Sequence, residues 1–95
     1  MEEIYSSGKA RAVGVCNFNI KQLEDLMAHS KIVPAVNQVE MHPHLSQVNP
    51  LKICQSQGIQ MEAWRQIMMG EVLDIPELIE IRARHNKSPA QVTLR

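Results

Sequence analysis

Aromatic side chains are almost missing from this sequence: one Trp, one Tyr and one Phe in 95 residues, 3% of the chain. Surfaces that stack nucleobases are built from such rings, so the shortage argues against a nucleic-acid partner. Net charge is missing too, with ten Lys plus Arg against ten Asp plus Glu. That balance leaves no electrostatic footprint for a polynucleotide or an anionic membrane surface. No apolar run approaches the roughly 20 residues of a membrane span, and the acidic start Met1-Glu2-Glu3 is not a signal peptide. The two cysteines, Cys16 and Cys54, form no Cys-x-x-Cys pair, so neither a redox couple nor a zinc site is indicated. In a reducing compartment both are expected to be free thiols. No glycine-rich phosphate loop is present. His42-Pro43-His44 has no third ligand at useful spacing, so no metal is expected.

What is present is the composition of a cytoplasmic globular piece. Hydrophobic residues make up 44% of the chain, enough for one small core. Two segments, Arg11–Phe18 and Pro34–Pro43, read as short buried strands that turn polar at their C-terminal ends. A third, Ile59–Trp64, follows. The three begin near residues 10, 34 and 59, a repeat of about 25 residues. A helix fills each gap, which is the βα unit of a parallel sheet, because parallel strands need a long crossover.

Local start and stop chemistry supports that rhythm. Asn19 can cap the first crossover helix, with Gln22 at the capping-box position and Phe18 and Leu23 as a hydrophobic staple. The second helix is expected to start at Ser46, with Pro50 in its first turn, Leu51, Ile53 and Cys54 on its buried side, and Gly58 ending it. Residues 65–72 read as a loop. Asp74, with Pro76 and Glu77 behind it, opens a helix through about His85. Ser88-Pro89-Ala90-Gln91 is another helix start, with a capping Ser, Pro at the first helical position and Gln at the box position. Met1–Ser7 reads as the tail of a helix ended by Gly8. Both ends therefore read as cut from a longer α/β chain, the alternative being a small domain with frayed ends.

In order and spacing, "GKARAVGVCNF", "PAVNQVEMHPHL", "IQMEAWRQI" and "KSPAQVTLR" resemble the aldo-keto reductase family. The first is similar to that family's strand-five signature, G-K-x-R-x-I-G-V-S-N-F; the others resemble strands six and seven and the start of the last long helix. The nearest subgroup is of the bacterial 2,5-diketo-gluconate or glyoxal reductase type. The resemblance implies an α/β fold, a (β/α)8 TIM barrel that reduces small aldehydes and ketones with NADPH. Such a barrel needs about 250 residues. Residues 1–95 would then be a single incomplete barrel segment, about strands five to seven with their helices. No segment matches the family's motifs for the catalytic Asp, Tyr, Lys and His, so no catalytic residue is assigned. The family's Lys-Ser motif for the adenosine 2′-phosphate has no match either.

What the resemblance leaves is the wall that holds the nicotinamide. Hydride transfer needs that ring clamped by its carboxamide and backed by a flat surface. Amide side chains suit a carboxamide because each offers a donor and an acceptor. Asn17 and Gln38 match the family's carboxamide ligands, and Trp64 matches the aromatic that stacks on the ring. The competing readings are a turn residue for Asn17, a satisfied interior amide for Gln38 and a packed core ring for Trp64. Asn37 and Glu40 are expected to hold structure. Cys16 stands where the family has Ser, and a thiol is the weaker donor. Gln66 replaces a Pro and should loosen the loop crossing the pyrophosphate, where Arg65 either meets a phosphate or stays solvated. On its own, such a piece has open sheet edges and is expected to self-associate.

Overall fold

The computed structural model describes residues 1–95. The elements run in the order α1 (Glu2–Ser6), β1 (Gly14–Cys16), α2 (Ile20–His29), β2 (Val36–Glu40), α3 (Val48–Ser56), β3 (Gln60–Trp64), a 3₁₀ segment (Met68–Asp74), α4 (Pro76–His85) and α5 (Pro89–Leu94). The three strands form one sheet in the order β1-β2-β3, and β1 pairs with β2 in parallel. No helix is long and apolar enough to cross a membrane. The chain divides into two compact units, one of residues 1–39 and 47–62, the other of residues 40–46 and 63–95.

In the first unit the expected helix chemistry is present. Asn19 accepts from the Gln22 amide at 2.9 Å, and the Gln22 side chain accepts from the Asn19 amide at 2.9 Å, closing the capping box of α2. Leu23 beneath it is fully buried. Helix α3 ends in a Schellman turn: Ile59 N donates to Cys54 O at 2.8 Å and Gly58 N to Gln55 O at 3.3 Å. This requires the left-handed φ of 71° that Gly58 adopts without a side-chain clash. Cys54, Ile59, Met61, Val39 and Pro34 are buried with Leu23.

Two expectations need correction here. The first strand is shorter and more open than Arg11–Phe18 suggests. Only Gly14–Cys16 is extended and paired, and Gly14 and Cys16 are exposed. β1 is an edge strand, covered on one side of its ladder by β2 alone, and the left-handed Asn17 (φ 58°) stops it. The second helix begins at Val48, not Ser46, because Gln47 takes a left-handed φ of 51° that cannot continue a right-handed helix. Pro50 is then the third helical residue, where its missing N–H has no intrahelical partner to lose.

In the second unit, Val72 and Leu78 are the buried apolar residues, and Pro89 is buried as well. The expected loop at 65–72 contains most of a 3₁₀ segment, interrupted by positive φ at Met69 and Gly70. Asp74 lies inside that segment and does not cap α4, whose N-terminal position is Ile75 with no side-chain cap. The α5 capping box is formed as expected, with Ser88 Oγ accepting from Gln91 N at 3.2 Å and Gln91 Oε1 from Ser88 N at 2.9 Å.

Candidate functional site

Strand alternation and register decide which side chains meet in the first unit. Cys16 pairs with Gln38, and Gly14 with Val36. Gln60 N donates to Ala35 O at 2.9 Å, which sets Gln60 beside Val36 and, two residues on, Glu62 beside Gln38. Asn37, Val39 and Met61 point into the buried side. The opposite side carries a row across three strands: exposed Cys16, half-buried Gln38 and exposed Glu62. Gln38 Nε2 donates to Glu62 Oε1 at 2.5 Å. Two register pairs back, on the same face, a Cβ at Gly14 would lie only 3.2 Å from the Val36 carbonyl oxygen. Glycine is what lets the two backbones approach that closely.

Beyond the row, the chain leaves β1 through Asn17. Its backbone N donates to Gln38 O at 2.8 Å, while its φ of 58° turns the chain away from the sheet. Asn is among the few non-glycine residues that accept this conformation. Asn37 fixes the next residue. It is fully buried, donates from Nδ2 to Phe18 O at 2.9 Å, and accepts at Oδ1 from Phe18 N at 3.3 Å. One side chain thus satisfies both backbone groups of Phe18, in the structural role expected of Asn37, and it thereby braces the turn that presents Asn17.

Trp64 and Arg65 belong to the second unit, at the end of β3 and just beyond it. Trp64 is half-buried, and its carbonyl accepts from Met41 N at 3.2 Å. Arg65 also takes a left-handed φ, 59°. A long side chain gains nothing from that conformation, which costs of order 1–3 kcal/mol and is found disproportionately at functional sites. Arg65 Nη1 lies 3.4 Å from Glu40 Oε1, and His42 Nε2 lies 3.4 Å from the same oxygen. Arg65 is therefore paired, not simply solvated. Gln66 Nε2 donates to Ala63 O at 2.6 Å, a tie across the turn from within. The rings of His42 and His44 are 6.4 Å apart, and nowhere do three His, Cys, Asp or Glu side chains gather in a way that could hold a metal ion. Both thiols are free, Cys16 exposed and Cys54 buried.

The sequence profile of the aldo/keto reductase family matches residues 1–75. The chain belongs to that family. The glyoxal reductase of Bacillus subtilis (strain 168) is 50% identical over 95 residues, covering 100% of this chain and 34% of that protein. An uncharacterized oxidoreductase of the same organism, YtbE, is likewise 50% identical over 95 residues, with 100% of this chain and 34% of that protein covered. Among solved structures, an aldo-keto reductase from a Medee basin deep-sea metagenome library superposes with a TM-score of 0.91 at 36% identity, over 97% of this chain and 35% of that one. A mutant of Gox0644 in complex with NADPH superposes with a TM-score of 0.89 at 35% identity, over 97% and 34% of the respective chains. This aldo/keto reductase chain thus spans about a third of the length of the relatives it matches. Of the site residues expected from sequence, Cys16 and Gln38 are register partners and Asn17 follows directly. Glu62 was not anticipated: its place beside Gln38 depends on the register of β3 against β2, which only the fold sets.

Proposed function

We propose that this chain is the nicotinamide-facing wall of an NADPH-dependent carbonyl reductase, formed by about the fifth to seventh strands of a (β/α)8 barrel. The whole enzyme would reduce small aldehydes and ketones to alcohols in the cytoplasm. The observation that supports this most directly is the meeting of Cys16 and Asn17, at the C-terminal end of β1, with Gln38 in the middle of β2, towards the end of the sheet where parallel α/β folds bind their ligands. The donor set suits a carboxamide: the Gln38 amide and the Cys16 thiol on an open, polar row, with Asn17 at the turn just beyond it and no Cβ at Gly14. NADPH, when bound, supplies a hydride to the carbonyl carbon. Gln38 and Asn17 would hold the carboxamide and Cys16 would add a weak donor. Trp64 would back the ring, and Arg65 would exchange part of its Glu40 pairing for a phosphate. No catalytic residue is assigned within residues 1–95.

The glyoxal reductase relative makes the test practical. Residues 1–95 placed in the frame of that protein, over the matched third, give a complete barrel. It should bind NADPH and reduce a simple aldehyde. A folded barrel with no NADPH affinity would rule the proposal out. A second reading is a non-catalytic fragment that self-associates. The exposed edge strand β1 and the exposed Ile4 and Val33 favour it for the isolated chain. Sedimentation of the 95-residue chain decides that point, and a strictly monomeric species with a cooperative melt would exclude it.

A further inference from the structure

The Gln38–Glu62 contact says more than that an amide is satisfied. A carboxylate only accepts hydrogen bonds, so the group it faces must present a donor. The Gln38 amide has two ends, and Glu62 Oε1 at 2.5 Å takes the nitrogen end. Turning the amide over would set its carbonyl oxygen against the carboxylate, oxygen to oxygen. The contact is charge-assisted, roughly twice as strong as a neutral pair. Glu62 sits beside Gln38 by register, on the same row as Cys16. The amide orientation is therefore set from the neighbouring strand: one N–H is spent on Glu62, and Gln38 is left offering a ligand its carbonyl oxygen, with the second N–H held on the Glu62 side of the amide.

We infer that Glu62 is a positioning residue whose carboxylate fixes Gln38 as an acceptor, so that the wall selects a ring bearing an uncharged carboxamide over one bearing a carboxylate. This rests on the cofactor reading above and refines it. A carboxamide –NH2 can donate to the Gln38 oxygen. A nicotinate carboxylate has no donor to give, and it would also sit near the charge of Glu62. Without Glu62 the amide is free to turn and offer its –NH2, which suits a carboxylate as well as the oxygen suits an amide.

The test has two arms. In the 95-residue chain, the side-chain amide protons of Gln38, assigned by their loss in Gln38→Ala, should lie away from the free-glutamine position. They should move as Glu62 is protonated by acid, and Glu62→Ala should abolish that movement. Free-glutamine positions in the parent chain would overturn the inference. In the complete barrel, affinities are measured for NADP+ and for its deamidated analogue, nicotinic acid adenine dinucleotide phosphate. Glu62→Ala should cut the preference for NADP+ by about three- to tenfold, the equivalent of one hydrogen bond, and Glu62→Gln should restore part of it by accepting through its own oxygen. Because the readout is a ratio, general damage to the fold, which weakens both ligands alike, leaves it unchanged and counts against the inference. If Gln38→Ala weakens NADP+ binding and Glu62→Ala leaves the ratio intact, the cofactor reading survives and this inference fails. If neither substitution affects either ligand, the cofactor reading itself has failed.

Discussion

Replacing Asn37 by Ala should unlatch the turn that follows β1. The side chain is fully buried and makes two hydrogen bonds, to Phe18 N at 3.3 Å and to Phe18 O at 2.9 Å. Each is worth about 0.5–1.5 kcal/mol net, and a stranded buried partner adds to the loss. The Phe18 groups are part-buried, so the expected cost is about 2–4 kcal/mol. At about 0.05–0.15 kcal/mol per residue, a chain of this size has a total stability of roughly 5–14 kcal/mol, so the loss is a large fraction of it. Urea unfolding followed by far-ultraviolet circular dichroism reads the effect. With a slope of about 1–3 kcal/mol/M, a loss of about 2 kcal/mol lowers the midpoint by roughly 0.7–2 M. Protein concentration must be held fixed, because association shifts apparent stability. Asn37→Asp sharpens the test. Its neutral carboxyl can donate to Phe18 O and accept from Phe18 N, whereas the ionised form cannot donate and is buried. Both effects raise the folded pKa of the introduced carboxyl above its unfolded value of about 3.9. Its stabilising contribution is then full below the unfolded pKa and is lost as pH rises through the folded one. Relative to the parent, Asn37→Asp should be least damaging in acid and most damaging at neutral pH. A shift under about 0.5 kcal/mol for Asn37→Ala, the least that one lost hydrogen bond should cost, or a pH-independent Asp variant, would refute the latch.

Other outcomes follow from the same structure. The isolated 95-residue chain should show no carbonyl reduction, since no proton donor is assigned in it and general acid catalysis alone contributes about 10²–10⁴-fold; turnover of NADPH with methylglyoxal by the purified chain would contradict this. In the complete barrel, Cys16→Ser should leave NADPH affinity equal or better, and Trp64→Ala should weaken it more than Gln38→Ala does through lost stacking; direct titration of each variant reads both orders. Ser88→Ala removes the bond from Gln91 N to Ser88 Oγ and should cost about 1 kcal/mol, seen as a lower thermal midpoint, with Ser88→Asn expected to retain most of the stability.

Local chemistry was the most legible part of the sequence. The capping boxes of α2 and α5 could be read from Asn19/Gln22 and Ser88/Gln91, because each depends only on residues three apart. The even spacing of the strand segments also survived, since it reflects the length of a crossover connection. Less legible were features decided by tertiary partners. β1 is cut to Gly14–Cys16 because pairing, not β propensity, ends an edge strand. The left-handed φ at Gln47, Arg65, Met68 and Met69 has no signal in those residue types. Asp74 looked like a helix cap because sequence proximity to Pro76 cannot reveal that a 3₁₀ segment has already taken it. Of the candidate site residues, Cys16 and Gln38 are brought together by the parallel register of β1 and β2, and Asn17 follows directly in the chain. The grip of Glu62 on Gln38 was hidden by 24 residues of intervening chain.

Whether these strands form a nicotinamide wall is read most directly from a crystal structure of the complete barrel carrying residues 1–95, with NADP+ bound. The nicotinamide carboxamide should lie against the Asn17 and Gln38 side chains, its nitrogen within about 3.2 Å of the Gln38 oxygen, with Trp64 flat against the ring. A nicotinamide bound away from Asn17 and Gln38 would contradict that reading.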